Sequence, residues 1–241
     1  DRHKGFAAVR VSDHEAFGRH TTWNVEYAFK INDAWTANGG LGHAFRAPDA
    51  TDRFGFGGNP ELRPELADEM QLGLRYAPGG AHSLDVEVYA NDIEDLIAFD
   101  LQSFSLQNIS QARIRGTQVG YEFRGERVLL RADVVRQKAD DAITNDRLLR
   151  RAETSATVSL TRLIGPHRLG LSILASGDRF DFGAVRLPGY VLANLTGQMQ
   201  LNSGWRINVR VENLFDTEYM TAAEYRMQER SGFLELQYRW Q

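Results

Sequence analysis

The 241-residue chain contains no cysteine. That excludes a disulfide framework and is compatible with export through an oxidising compartment. It also lacks any stretch approaching the ~18 apolar residues of a membrane-spanning helix, and its mean hydropathy is negative. Neither observation excludes a membrane barrel, whose strands turn half of their residues to a polar interior. Excess positive charge is missing too: the net charge is −4 and the pI about 5.9, so there is no electrostatic footprint for nucleic acid. Catalytic signatures are equally scarce. The histidines (His3, His14, His20, His43, His82 and His167) have no His-Glu-x-x-His or other paired ligand spacing, and no Gly-x-Ser-x-Gly elbow occurs. The expectation is therefore a non-enzyme with no catalytic residues, no metal site and no nucleic-acid partner.

What the chain does have is alternation. Trp205, Ile207, Val209 and Val211 interleave with Arg206, Asn208, Arg210 and Glu212. Leu234, Leu236, Tyr238 and Trp240 do the same with Phe233, Glu235, Gln237 and Arg239. A period of two is a strand signal, because a helix would scatter these charges around its surface. The runs match the ~9–11 residues that a tilted strand needs to cross a bilayer. Twelve such segments are expected, near 5–11, 20–29, 34–45, 66–77, 82–92, 113–124, 127–136, 152–162, 167–176, 189–200, 204–213 and 232–240.

The connections sort by length. Those at Lys30–Asp33, Pro78–Ala81, around Gly125, Leu163–Pro166 and Leu201–Ser203 are short. Those after the third, fifth, seventh, ninth and eleventh strands are expected to be long and polar, roughly ten to twenty residues, as in outer-membrane barrels with short periplasmic turns. A Greek-key sandwich has no reason to sort its loops this way. Phe29, Trp35, Tyr76, Phe123, Trp205 and Trp240 each adjoin a short turn or the chain end and share a face with aliphatics, as an interfacial belt would. The other faces carry Arg75, Asp85, Glu87, Arg131, Asp133, Arg206, Arg210, Glu212 and Arg239, too much charge for a second packed layer. Gly39, Gly40 and Gly42 predict a bend or a close approach within the third strand. The expected fold is all-β, an antiparallel transmembrane β-barrel.

Several motifs carry a family likeness. Phe45-Arg46-Ala47-Pro48 followed by Gly58-Asn59-Pro60-Glu61-Leu62-Arg63-Pro64-Glu65 resembles a signature of TonB-dependent outer-membrane receptors. So do Asn91 to Ile97, the set Asn108, Ala112, Arg113, Ile114 and Gly116, and Asn213-Leu214-Phe215-Asp216 with Tyr219. Phe17-Gly18-Arg19-His20 with Thr22 and Trp23, and Leu148-Leu149-Arg150-Arg151-Ala152, resemble the vitamin B12 (cobalamin) transporter group of that family. The resemblance covers essentially residues 1–241. It implies the C-terminal part of a 22-stranded barrel, twelve strands of it, in the bacterial outer membrane. It further implies a plug, ten more strands and a TonB-contacting segment outside this sequence, and import of cobalamin or, alternatively, of a siderophore's ferric chelate. A self-contained twelve-stranded enzyme or pore is the alternative from another class. Two departures stand out. The last long loop reads Glu224-Tyr225-Arg226-Met227-Gln228-Glu229-Arg230, where only Tyr225 and Arg230 match the family pattern, and Gln241 follows the aromatic Trp240.

Candidate ligand-binding residues are the loop aromatics Phe54, Phe56, Tyr219 and Tyr225, with Arg230. Their rings offer stacking surfaces to a large corrinoid, or else pack loop against loop. Asp92, Glu94, Asp95 and Asp100 form one acidic cluster, and Asp140, Asp141 and Asp146 with Asn145 another. Calcium is a conceivable occupant of either, but neither has EF-hand spacing, and solvated loop charge is the simpler expectation. His43 is expected at the membrane interface, with His14 and His20 structural. No cofactor is expected.

Overall fold

The computed structural model describes residues 1–240; Gln241, and with it the departure at the chain end, lies outside the described residues. Twelve strands form one antiparallel sheet. They are β1 (His3–His14), β2 (Gly18–Lys30), β3 (Trp35–Arg46), β4 (Glu65–Tyr76), β5 (His82–Asp100), β6 (Ser105–Arg124), β7 (Val128–Asp141), β8 (Thr154–Ile164), β9 (His167–Ser176), β12 (Tyr190–Gln200), β13 (Trp205–Glu212) and β16 (Ser231–Tyr238). Each pairs with its neighbours in chain order, so hairpins are the repeating unit. Two small hairpins interrupt the count, β10 (Arg179–Asp181) with β11 (Val185–Leu187), and β14 (Met220–Ala222) with β15 (Tyr225–Arg226). A single turn of helix, α1 (Ala50–Phe54), lies between β3 and β4. The chain divides into two compact units, one of Asp1–Arg75, Val86–Thr117 and Gln137–Arg151, the other of Tyr76–Asp85, Gln118–Arg136 and Ala152–Gln241.

All twelve expected strands are present. The short turns occupy 31–34, 77–81, 125–127, 165–166 and 201–204, and the connections 47–64, 142–153, 177–189 and 213–230 are long. One expectation fails: the connection after β5 is a turn of residues 101–104 and not a long loop. β5 and β6 run on beyond the apolar stretch, and Asp92 and Asp95 sit in the ladder with arginine partners, Asp92 with Arg113 at 3.2 Å and Asp95 with Arg63 at 2.5 Å. The second acidic cluster is also engaged. Asp140 pairs with Lys138 at 2.5 Å, and Asp141 accepts from the amides of Ile143 and Thr144 to close a turn.

Register fixes the faces. Trp205 pairs with Tyr238, Ile207 with Leu236 and Val209 with Leu234, while Asn208 meets Glu235 and Arg210 meets Phe233. Side chains directly opposite share a face, so one side of this hairpin is apolar and the other polar apart from Phe233, over which the Arg210 guanidinium lies. The same sorting holds across β7 and β8, where Leu130 meets Leu160 and Ala132 meets Val158, whereas Arg131 meets Ser159 and Asp133 meets Thr157. The apolar side chains are not packed inside: Leu234 is 77% exposed, Leu236 60% and Val9 72%. Among the described residues the buried apolar ones are Leu62, Ala112, Ala139, Leu187 and Ala193, mostly alanines and loop leucines. Among the described residues no second layer covers either face, so the apolar one requires an apolar solvent. The glycines of β3 are close approaches: a Cβ at Gly40 would lie 3.0 Å from the Gln71 amide of β4, and one at Gly39 as near to Leu72.

Among the described residues β1 and β16 end the order, each pairing on one side alone. Their free ladder groups need a partner strand in a medium without water.

Val209 lies mid-strand on the apolar face and Arg210 on the polar one. When a barrel containing this sheet folds into phospholipid, Val209→Arg is expected to destabilise it by ~2–4 kcal/mol and Arg210→Gln by far less. Denaturant titration in vesicles checks this, and equal effects would contradict the facing.

Candidate functional site

The long connections carry the candidate residues, and local chemistry explains how they are held. After β3 the chain enters α1 through a capping box. The Asp49 carboxylate accepts from the Asp52 amide at 2.8 Å, and Asp52 accepts from the Asp49 amide at 3.1 Å. Arg46 ties the helix to β4, donating to Asp52 at 2.8 Å and pairing with Glu65 at 3.0 Å. Gly57 then adopts φ 67°, and a Cβ there would stand 2.6 Å from the Phe99 ring. Only glycine allows both the turn and that ring.

The following motif residues are backbone clamps. Asn59 donates to the Leu106 carbonyl at 3.0 Å, and the Leu106 amide donates to the Gly57 carbonyl at 2.7 Å. Asn108 accepts from the Arg63 amide and donates to the Arg63 and Asp95 carbonyls. Glu65 accepts from the Ile97 amide at 2.8 Å, and Leu62 is buried beneath. The loop after β3 is thus sewn to the β5–β6 hairpin.

On this platform Phe54 and Phe56 remain open, 68% and 86% exposed. They do not stack on each other. The Arg53 guanidinium lies 5.0 Å from the Phe54 ring and 5.3 Å from that of Phe17. Phe56 makes an edge contact with Phe104 at 5.6 Å, and Phe104 another with Phe99 at 5.4 Å. Phe99 and Phe104 were not among the sequence candidates. The available signal was a pair of phenylalanines in a segment otherwise read as polar loop.

In the other unit, Asn213 is the corresponding staple for residues 213–230. It is 5% exposed, has φ 49°, donates to the Thr217 carbonyl and accepts from the Thr217 amide, both at 2.9 Å. Asp216 accepts from the Arg230 amide at 2.8 Å. Asp181, 1% exposed, accepts from the Ala223 amide at 2.6 Å and from Phe182, and so ties the β14–β15 hairpin to the connection after β9. Sequence reasoning missed Asp181.

The three candidates here have different surroundings. Tyr219 packs on Tyr190 with centroids 4.6 Å apart, and the Arg179 guanidinium lies 5.0 Å from the Tyr190 ring. Burial pushes the Tyr219 phenol above its ordinary range, with Tyr190 and Glu212 adding to the shift, so it is a neutral donor at physiological pH. Tyr225, by contrast, is 71% exposed beside the positive-φ residue Glu224 at the hairpin tip. Arg230 is exposed, with its backbone fixed by Asp216. The arrangement provides rings and a guanidinium on hydrogen-bonded loops, suited to stacking and hydrogen bonding.

Of the other sequence residues, His43 shares the face of Trp23 and meets Asp68 at 2.7 Å, and His20 stacks on Phe45 at 3.9 Å.

Comparison with known proteins adds three findings. Residues 1–214 match the family model "TonB dependent receptor-like, beta-barrel". The chain is 31% identical over 228 residues to a vitamin B12 transporter of Vibrio vulnificus (strain YJ016), covering 90% of this chain and 36% of that protein. Among solved structures it resembles a ferric enterobactin receptor of Pseudomonas aeruginosa, with TM-score 0.81 and 16% identity over 98% of this chain and 43% of that one. It also resembles the copper transporter OprC, with TM-score 0.79 and 18% identity over 99% and 46% of the two chains. This chain therefore spans between a third and a half of the length of the proteins it matches.

Asn108→Ala removes three hydrogen bonds and orphans the Arg63 amide, a loss of about 1–3 kcal/mol to the clamp. The expected result is faster proteolysis within residues 47–64 while strand protection is unchanged; wild-type cleavage rates would contradict the clamp.

Proposed function

The chain belongs to the TonB-dependent receptor β-barrel family, and from that premise we propose that it forms the last twelve strands of a 22-stranded barrel importing a large, scarce nutrient. Members of this family are outer-membrane proteins, and the bacterial outer membrane is this chain's location. The single-sided pairing of β1 and β16 supports a barrel completed by further strands. A lumen of that size has to be plugged, and a pull by TonB on an N-terminal plug would open it to the bound ligand.

The observation that carries the substrate reading is the 31% identity to the vitamin B12 transporter over nearly the whole chain. A corrinoid has broad apolar faces and amide edges, which suit the exposed rings of Phe54, Phe56 and Tyr225 and the guanidinium of Arg230. Tyr219, packed on Tyr190, would present its phenol edge rather than its face. A ferric siderophore is the second reading, favoured by the loop from Glu224 to Arg230, where only two residues follow the cobalamin pattern.

Equilibrium competition on the intact receptor separates the two. Cobalamin should bind at micromolar concentration or below, and a ferric catecholate should not displace it. Tyr225→Ala should weaken cobalamin several-fold, matching the ~0.5–1.5 kcal/mol of one stacked ring, and leave barrel melting unchanged. Displacement by the chelate, with no cobalamin binding, would replace the substrate and leave the barrel reading intact.

A further inference from the structure

The apolar face carries polar groups at its short-turn end that ligand import does not use. Arg162 stands opposite Val128 on one side and Leu169 on the other, so it shares their face. Ile164 pairs with His167 in the same hairpin, which places His167 on that face too, one diagonal step from Arg162. Arg162 has no carboxylate partner among the described residues. An arginine on an apolar face without a counter-ion has two ways to lower its energy. It can run its stem along the hydrocarbon and place its charge at the headgroup level, or it can find an anion there.

The histidines sharpen the choice. The Gln200 amide donates to Nδ1 of His167 at 3.3 Å, so the hydrogen of the neutral ring sits on Nε2. In the same unit His82, the first residue of β5, meets the Tyr121 hydroxyl through Nδ1 at 2.7 Å, and its ring lies 4.8 Å from Phe123. The other unit repeats this cluster. His3, the first residue of β1, meets the Tyr27 hydroxyl through Nδ1 at 2.5 Å, with Phe29 at 5.0 Å. The phenol is the better donor, so we assign its hydrogen to the bond with Nδ1, which again leaves Nε2 carrying the ring hydrogen. Each imidazole is held from one side and keeps an N–H donor on the other, at the first residue of an odd-numbered strand.

We propose that Arg162 and His167 bind the phosphodiester of an anionic phospholipid in the leaflet at the short-turn side, with the His82 cluster of the same unit as a secondary donor. The chemistry fits one occupant. A phosphate offers several acceptor oxygens and a charge to a guanidinium fork and an imidazole N–H. The neighbours Val128, Ile164 and Leu169 are apolar and would lie against its acyl chains. A soluble phosphate would leave that surface uncovered.

The site rests on the reading that the apolar face meets lipid, and the test separates the two. The intact receptor is reconstituted in detergent, and its retention of phosphatidylglycerol and of phosphate-free diacylglycerol is measured by native mass spectrometry. Wild type should retain phosphatidylglycerol about five-fold better than the double variant Arg162→Gln, His167→Phe. Arg162→Lys should keep most of the difference, because the charge remains. Heat-modifiable mobility should be the same for all variants, which shows that the barrel has folded. Equal retention by wild type and the double variant, or equal retention of the two lipids, would overturn the site while leaving a lipid-facing barrel. Displacement of phosphatidylglycerol by soluble glycerol phosphate would overturn the assignment to a lipid.

Discussion

Everything in this molecule follows from one constraint: main-chain amides and carbonyls that face no water have to be paired along a ladder. A sheet meets that requirement strand by strand, and leaves side chains free to differ on its two faces. The sequence uses this freedom throughout. Ile207, Val209, Leu234 and Leu236 line one face, and Asn208, Arg210 and Glu235 the other. Among the described residues neither face has a packed layer over it, and the few buried apolar side chains are too small and scattered to serve as a core. The stability of such a sheet comes from its ladder and from the solvent on each side, not from an interior.

The same constraint governs the loops. Where the chain leaves the ladder, asparagine and aspartate side chains take over the role of a neighbouring strand. Asn108 satisfies the backbone of Arg63, Asn213 that of Thr217, Asp216 that of Arg230, and Asp181 that of Ala223. The family motifs on which Asn108, Asn213 and Asp216 stand are thus structural staples. The exposed candidate residues Phe56 and Tyr225 lie beside the staples and do not form part of them.

This division decides what could be read without coordinates. All twelve strands were legible, because an apolar face repeats every second residue wherever the ladder meets lipid-like surroundings. The upper parts of β5 and β6 were not. Past Ala90 the alternation breaks down: Asp92 and Glu94 take the side that Val86 and Val88 occupy lower down, and Leu96, Ile97, Ala98 and Phe99 follow one another without a polar partner between them, so the hydrophobic period disappears although the hydrogen bonds continue. The hairpins at Arg179–Leu187 and Met220–Arg226 are too short to show any period. At the candidate site, Phe54, Phe56 and Tyr225 were recognisable as loop aromatics, and the structure leaves all three exposed. Phe99 and Phe104 escaped because their segment was read as a loop. Tyr219 was identified as an aromatic, but its packing against Tyr190 depends on a contact across the sequence that no local pattern encodes.

The central claim is that this sheet separates lipid from a polar lumen in an outer-membrane import receptor. The lack of cysteine makes a direct test clean, since a single introduced thiol is the only labelling site in this chain. Spin labels placed in turn at each position from Trp205 to Glu212 of the intact receptor in bilayers report collisions with oxygen, which dissolves in lipid, and with a water-soluble nickel complex. The account predicts oxygen access at Ile207 and Val209, nickel access at Asn208 and Arg210, and a strict two-residue alternation between them. Uniform access along the strand, or nickel at Val209 and oxygen at Arg210, would contradict it.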